Sequence, residues 1–296
     1  MSRVMRIDRK IAWVVVFAAM AAGCATPAGR QSREGADTGA LITTGQLFSG
    51  RYAAVAWSEG QQARALEIAM TPVMREDGAL EIEWVQTDQR GGSRSFMLHL
   101  QAGALPGRME GWFEPRGNDA RARGRCPVEG QLTSRGPLIR IAPEHCRFGE
   151  GAEALALAKE IAHDGTRLSV ADRVLDPATG QARVPDQRVE AWPARVFRGW
   201  AGRRDVPGTA WRMASGFEIG IVGGITAPMD EAGMPLQIEV DLGLHRLSAK
   251  GPTVLRLRVF DQATGGLLAQ GWTDPGSETI GVATDSVQVG LRAAGR

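Results

Sequence analysis

Cysteine is nearly missing from this sequence: the chain of 296 residues holds 3. So few thiols exclude a cysteine-built zinc scaffold and a disulfide-dense small domain. Histidine is almost as scarce: His99, His145, His163 and His245 are scattered, with none at metal-ligand spacing from a second His or Cys. No metal and no cofactor is expected. Lysine occurs only at Lys10, Lys159 and Lys250, no basic cluster exists, and the formal charge is +2. That balance argues against a nucleic-acid partner. Catalytic signatures are missing too: there is no Gly-x-Ser-x-Gly elbow, no phosphate loop and no His-Glu-x-x-His pair. Beyond Met20 no apolar run approaches the length of a membrane span.

What is present begins at the N-terminus. Arg3, Arg6, Arg9 and Lys10 precede an unbroken apolar run from Ile11 to Met20, followed by Ala21, Ala22, Gly23 and Cys24. A basic start, a short apolar run and a small-residue exit describe a signal peptide, here residues 1–23. Cys24 directly after Ala-Ala-Gly resembles the lipobox of bacterial lipoproteins, in which that cysteine is lipidated. Ala25 rather than Asp follows it, which by the same resemblance implies the outer membrane, facing the periplasm or the cell surface. Without residues 1–23 the formal charge falls to about −1. Residues 24–46 are small, polar and glycine-rich, and read as a flexible tether between lipid and body.

An oxidising envelope decides what the other two cysteines are. An even pair in that compartment reads as a disulfide. Ser134, Arg135, Gly136 and Pro137 form a turn signal midway between Cys126 and Cys146, so a hairpin centred near Gly136 brings the thiols face to face.

Turn signals recur at short intervals through the body, and the segments between them alternate apolar and polar residues. Leu236, Ile238, Val240, Leu242 and Leu244 alternate strictly, and "ALEIEWVQ" and "SFMLHLQ" behave similarly. Such patterning predicts an all-β protein of antiparallel barrels or sandwiches. Only 151–162 carries strong helix propensity, yet Leu155, Leu157 and Ile161 also fit a strand. Both readings stay open. The glycine-rich 220–228 reads as a bulged or tightly packed strand. Proline, glycine and charge cluster between Pro193 and Pro207, which divides the body into 47–197 and 198–296.

The first of these units resembles the CpcT/CpeT family of phycobiliprotein chromophore lyases. The likeness rests on the order Leu47 with Gly50, Trp84 with Gln86, Arg94, Cys126 with Cys146, and Asp172-Arg173 with Asp176. It implies a calycin-like antiparallel β-barrel over 47–197, followed here by a β-sandwich over 198–296. It also implies a pocket: Trp84, Phe96 and Trp112 as apolar walls, Gln86, Arg94, Asp172 and Arg173 as polar handles. Walls of that kind suit a hydrophobic or tetrapyrrole-like ligand, whereas a small barrel filled by its own tryptophans would hold none. Gln86 shares a strand face with Trp84, so an inward Gln86 needs a hydrogen-bonding partner. The leading expectation is a lipoprotein whose barrel binds a hydrophobic small molecule or an envelope protein. A chromophore-lyase-like enzyme and a structural assembly component are the alternatives.

Overall fold

The computed structural model describes residues 28–60, 63–116, 124–206, 208–248 and 251–295. The signal segment and Cys24 lie outside them. The described chain starts with helix α1, Ala28–Phe48. Then follow β1 Gly50–Ser58, β2 Arg64–Met74, β3 Leu80–Asp88, β4 Ser93–Ala102, β5 Arg108–Arg116, β6 Cys126–Thr133 and β7 Gly136–Ile141. After the short β8, Arg147–Phe148, come β9 Leu155–His163, β10 Leu168–Leu175 and β11 Gln187–Pro193. Neighbours pair in the order β10-β11-β1-β2-β3-β4-β5-β6-β7-β9, and β10 pairs again with β9, closing an antiparallel barrel of 10 strands. Closure leaves these strands no free edge.

Alternation selects the inward side chains. On β3, Leu80, Ile82 and Trp84 are buried, while Glu81 and Glu83 take the outer face. Ile68, Ile82, Leu98, Ile139 and Ile161 are each 0% exposed, so the barrel's middle is filled. At one end Leu41, Thr44 and Phe48 of α1 are buried, with Leu41 and Phe48 in the same core. The Tyr52 hydroxyl donates to the Leu47 carbonyl at 2.6 Å and ties the helix to β1. The expected tether is therefore a helix from Ala28 onward. Leu41, Thr44 and Phe48 recur at helical spacing, and burying the apolar Leu41 and Phe48 contributes roughly 1.5–3 kcal/mol each.

The ambiguous 151–162 resolves mainly as strand β9, flanked by a short 3-10 turn at Gly151–Glu153. Pairing with β7 and β10 outweighs the helix propensity of its Ala, Leu and Lys. The β6–β7 hairpin turns just before Gly136, whose φ is +115° and whose Cβ would stand 2.1 Å from the His163 carbonyl oxygen. Only glycine fits that position.

The second unit contains β12 Val196–Arg203, β13 Arg212–Gly220, β14 Val222–Thr226, β15 Ile238–Arg246, β16 Thr253–Asp261, β17 Leu267–Thr273, β18 Thr279–Ala283 and β19 Val287–Ala293. They form two four-stranded sheets, β13-β12-β19-β18 and β14-β15-β16-β17. Phe197, Val289 and Leu291 from one sheet and Val240, Leu242 and Leu257 from the other share one core, as a sandwich requires. Its first strand starts at Val196, slightly before the seam read at 198. The glycine-rich stretch is a bulged strand, with the register shift between Val222 and Gly224. Ala53 and Val55 on the outer face of β1, with Trp192 of β11, belong to the sandwich's core cluster.

Candidate functional site at the barrel mouth

The end of the barrel opposite α1 is built differently from its middle. Along β3 the inward positions pass from Trp84 to Gln86, and along the paired β4 from Phe96 to Arg94. Register sets Trp84 against Phe96 and Gln86 against Arg94. Trp84 is fully buried, Phe96 is half-buried, and Arg94 is exposed. The face therefore grades from packed rings to solvent within a few residues. The Trp84 and Phe96 ring centroids lie 5.4 Å apart, and Phe96 stacks on Phe113 of β5 at 5.3 Å.

Into this aromatic wall β9 sends Lys159. Strand alternation places it inward with Ile161, between Ile141 of β7 and Asp172 of β10. Its ammonium lies 5.2 Å from the Trp84 ring centroid, 5.3 Å from that of Phe113 and 5.7 Å from that of Phe96. A cation near ring faces is attracted by their quadrupoles, more so when water is excluded. The Lys159 side chain is only 4% exposed, and its Nζ meets Asp172 Oδ1 at 2.5 Å. A buried ammonium is tolerated only with such a partner. Asp172 is 30% exposed, so the pair bridges the packed interior and the solvent. Beside it, the buried Trp84 Nε1–H meets no acceptor among the described residues.

The expected pocket residues divide accordingly. Trp84, Gln86, Arg94, Phe96 and Asp172 share the inward face. Trp112 and Arg173 do not, because each follows or precedes an inward residue on its strand. Trp112 neighbours the inward Phe113 and lies outside, stacked on His99 at 5.1 Å with the Arg125 guanidinium 4.2 Å from its centroid. Arg173 follows Asp172 and pairs with Asp186 at 3.1 Å. Neither lines the interior. Trp84 does not floor an open cavity either: it is packed solid, and any binding surface begins above it, at Phe96.

Lys159 is absent from the residues singled out in the sequence. Its signal was there, since it falls in phase with Leu155, Leu157 and Ile161 in a chain that builds its basic surface from arginine. The mouth's wall is completed by Cys126 and Cys146, both buried and at disulfide distance with Cα atoms 4.8 Å apart. Their route differs from a symmetric hairpin. The β6–β7 ladder would set Cys126 against Pro143, and the 3-10 turn at Pro143–His145 carries the chain on to Cys146.

These features define a helix-plugged β-barrel with a charged, aromatic mouth, joined to a β-sandwich. No family model and no curated protein matches the chain. Among solved structures it is similar to a redesigned β-barrel, at 10% identity over 51% of this chain and 94% of that one, with a TM-score of 0.26. It is also similar to the Pseudomonas aeruginosa MucA/MucB complex, at 12% identity over 87% of this chain and 94% of that one, with a TM-score of 0.17. Both TM-scores are too low to support any inference about function. Among the described residues no helix is long and apolar enough to cross a membrane.

Proposed function

We propose that this protein is a lipid-anchored envelope protein whose barrel mouth binds a hydrophobic small molecule carrying an acidic group. The observation that carries the reading is Lys159, an ammonium held against three aromatic rings at the level where the barrel opens. Phe96, Leu66, Phe148 and Leu157 are partly buried and pack on the core, and offer an apolar rim. A ligand's carboxylate would meet Arg94, which makes no ion pair among the described residues, and would compete with Asp172 for Lys159. Sparse fixed charges in an apolar surround are what small-molecule sites use to orient a ligand. A tetrapyrrole, the ligand class of a chromophore-lyase-type protein, satisfies the same chemistry through its propionates. The anchor follows from Cys24 and the segment before it, and lipid at that cysteine would hold the body at the outer membrane.

The reading is tested by titrating the purified protein with a fatty acid, haem and biliverdin while following tryptophan emission. Saturable quenching is expected for at least one probe, absent in Trp84→Phe and weakened in Arg94→Ala and Lys159→Met. No saturation with any of them at micromolar concentration would overturn it. Cys24→Ser should release the protein from the membrane fraction and abolish labelling by a fatty-acid analogue.

A further inference from the structure

The sandwich carries a second surface that the barrel reading leaves unused. Trp200 on β12 is 43% exposed and Trp272 on β17 is 53% exposed. Both line one groove of about 840 Å³, with Gly281, Gly290 and Arg292. Two half-exposed indoles lining one groove offer flat apolar faces to a ligand.

The groove's floor follows from strand register. Trp200 stands opposite Gly290 of β19, and Gly290 opposite Gly281 of β18. One indole and two glycines thus lie in a row across three strands. A Cβ at Gly290 would come 2.6 Å from Trp200 Nε1 and 2.8 Å from its Cε2. The indole therefore lies down across that glycine, and any larger residue there would lift it. Two positions along, Arg198 stands opposite Arg292, and Arg292 opposite Thr279. Arg198 is engaged by Glu218 at 2.8 Å. Arg292 is exposed and makes no ion pair among the described residues. The result is a flat aromatic floor edged by one uncommitted guanidinium and by hydroxyls.

We infer that this groove binds an acidic oligosaccharide, a chain of pyranose rings bearing carboxylates. The C–H face of a pyranose stacks on an indole, and Gly281, without a side chain, leaves height for the next ring beside Trp200. The planar fork of Arg292 matches a carboxylate in two hydrogen bonds. A neutral glycan would leave that guanidinium idle. A membrane surface fits less well, because Trp200 lies flat across Gly290 rather than standing out from the sheet.

The experiment uses the full chain with oligogalacturonate of defined length, a neutral gluco-oligosaccharide of equal length, and anionic phospholipid vesicles. Binding is read by calorimetry and tryptophan emission. Saturable binding of the oligogalacturonate is expected, weakened about tenfold or more, roughly 1.4 kcal/mol, in Trp200→Ala and in Trp272→Ala. Arg292→Gln should weaken it several-fold and reduce its salt dependence, and all three variants should melt like the parent. Gly290→Val, which displaces the indole without removing it, should weaken binding as well. Equal affinity for the neutral oligomer, affinity unchanged in both tryptophan variants, adsorption to vesicles without oligosaccharide binding, or no saturation at all would each overturn the inference. The barrel ligand occupies a different unit, so its failure or success leaves these outcomes unchanged.

Discussion

His163 closes β9 at the plugged end of the barrel, where its ring lies 6.2 Å from Phe48 and 6.1 Å from Tyr52. Its Nδ1 accepts the Gly165 N–H at 3.0 Å, which suits the neutral ring. Burial lowers its pKa from the ordinary 6.5 and outweighs the Asp164 carboxylate, which raises it. Tyr52 is pushed up to about 12 by burial. The two shifts act at opposite ends of the pH scale. Below 6.5 the unfolded chain protonates its histidine more readily than the folded one, so stability falls as pH drops. Above 10 the unfolded chain ionises its tyrosine first, so stability falls as pH rises. Asp164 adds a separate, lower window. Burial raises it, but hydrogen bonds from Thr166 and Arg167 outweigh that and hold it at about 2. Its contribution is lost only as pH falls from 3.8 towards 2. Urea midpoints should therefore show a plateau with one shoulder above 10, one below 6.5 and a further decline below 3.8. His163→Gln should shrink the shoulder below 6.5 without abolishing it, because burial and then Arg256 and Arg258 lower the pKa of His245 as well, and Tyr52→Phe should flatten the one above 10. A parent whose stability does not change from pH 7 to 5 would refute the account of His163. Lys159 supports a second prediction at this scale. Breaking a fully buried pair costs roughly 3–5 kcal/mol, and Asp172 is partly exposed, so Asp172→Ala should cost about 2 kcal/mol. Lys159→Met combined with Asp172→Leu should recover most of that by chemical denaturation. Alternation put Trp84 and Gln86 on one strand face, while Arg94 and Phe96 entered the expected pocket through the family resemblance. The same rule, applied one residue over, would have put Trp112 and Arg173 outside. They were chosen for residue type, which ignores which side of the sheet a side chain takes.

At the scale of single elements, strands were easier to read than helices. The alternation of Leu80, Ile82 and Trp84 and of Ile238, Val240, Leu242 and Leu244 is a local signal that survives in the fold. α1 was not legible, because its N-terminal composition is polar and glycine-rich and its helix is fixed by docking Leu41 and Phe48 into the barrel end. Docking of that kind is tertiary information. The same holds in reverse for β9, whose residues favour helix but whose neighbours β7 and β10 leave room only for a strand. The cysteine pair was legible from its even number and its spacing about a turn signal, while the offset between hairpin and bridge was not, since the 3-10 turn at Pro143–His145 lies outside any two-fold pattern. Bridging residues so far apart in sequence should contribute about 3 kcal/mol by constraining the unfolded chain. Replacing both cysteines by serine should lower the stability by about that amount, and the parent under strong reductant should approach the same value. If the double variant matched the oxidised parent, the bridge would carry no stability. Peptide mapping without reductant should recover the linked Cys126 and Cys146 peptides.

For the molecule as a whole, the question is whether barrel and sandwich melt together. The sequence marked a seam near Pro193, and the chain does pass from β11 to β12 there through Ala194 and Arg195. The seam is not a loose linker. Ala53, Val55 and Trp192 lie on the barrel's outer face and are buried in the same apolar cluster as Leu242, Leu257 and Phe197 of the sandwich. Polar contacts reinforce it: the Arg246 guanidinium lies 3.6 Å from the Trp57 ring centroid, and Glu190 binds Arg246 at 3.6 Å and the Thr253 hydroxyl at 2.9 Å. Glu190 also faces Arg167 of the β9–β10 turn at 3.9 Å. These contacts join residues far apart in sequence, and β1, buried on both faces through Tyr52–Val55, shows no alternation that would mark its second neighbour. Units that share a core unfold as one, because neither can open without exposing the other's apolar face. A single calorimetric transition is therefore expected for the full chain, with calorimetric and van't Hoff enthalpies in agreement. Val55→Asp places an unpaired carboxylate in the shared core and should uncouple the units, giving two resolved transitions of which the sandwich's moves most. Val55→Ala should shift the single transition downwards without splitting it, by about 1–2 kcal/mol for the lost methyl groups. Two transitions in the parent, or a Val55→Asp variant that still melts as one at the parent's temperature, would mean that the shared cluster does not couple the units.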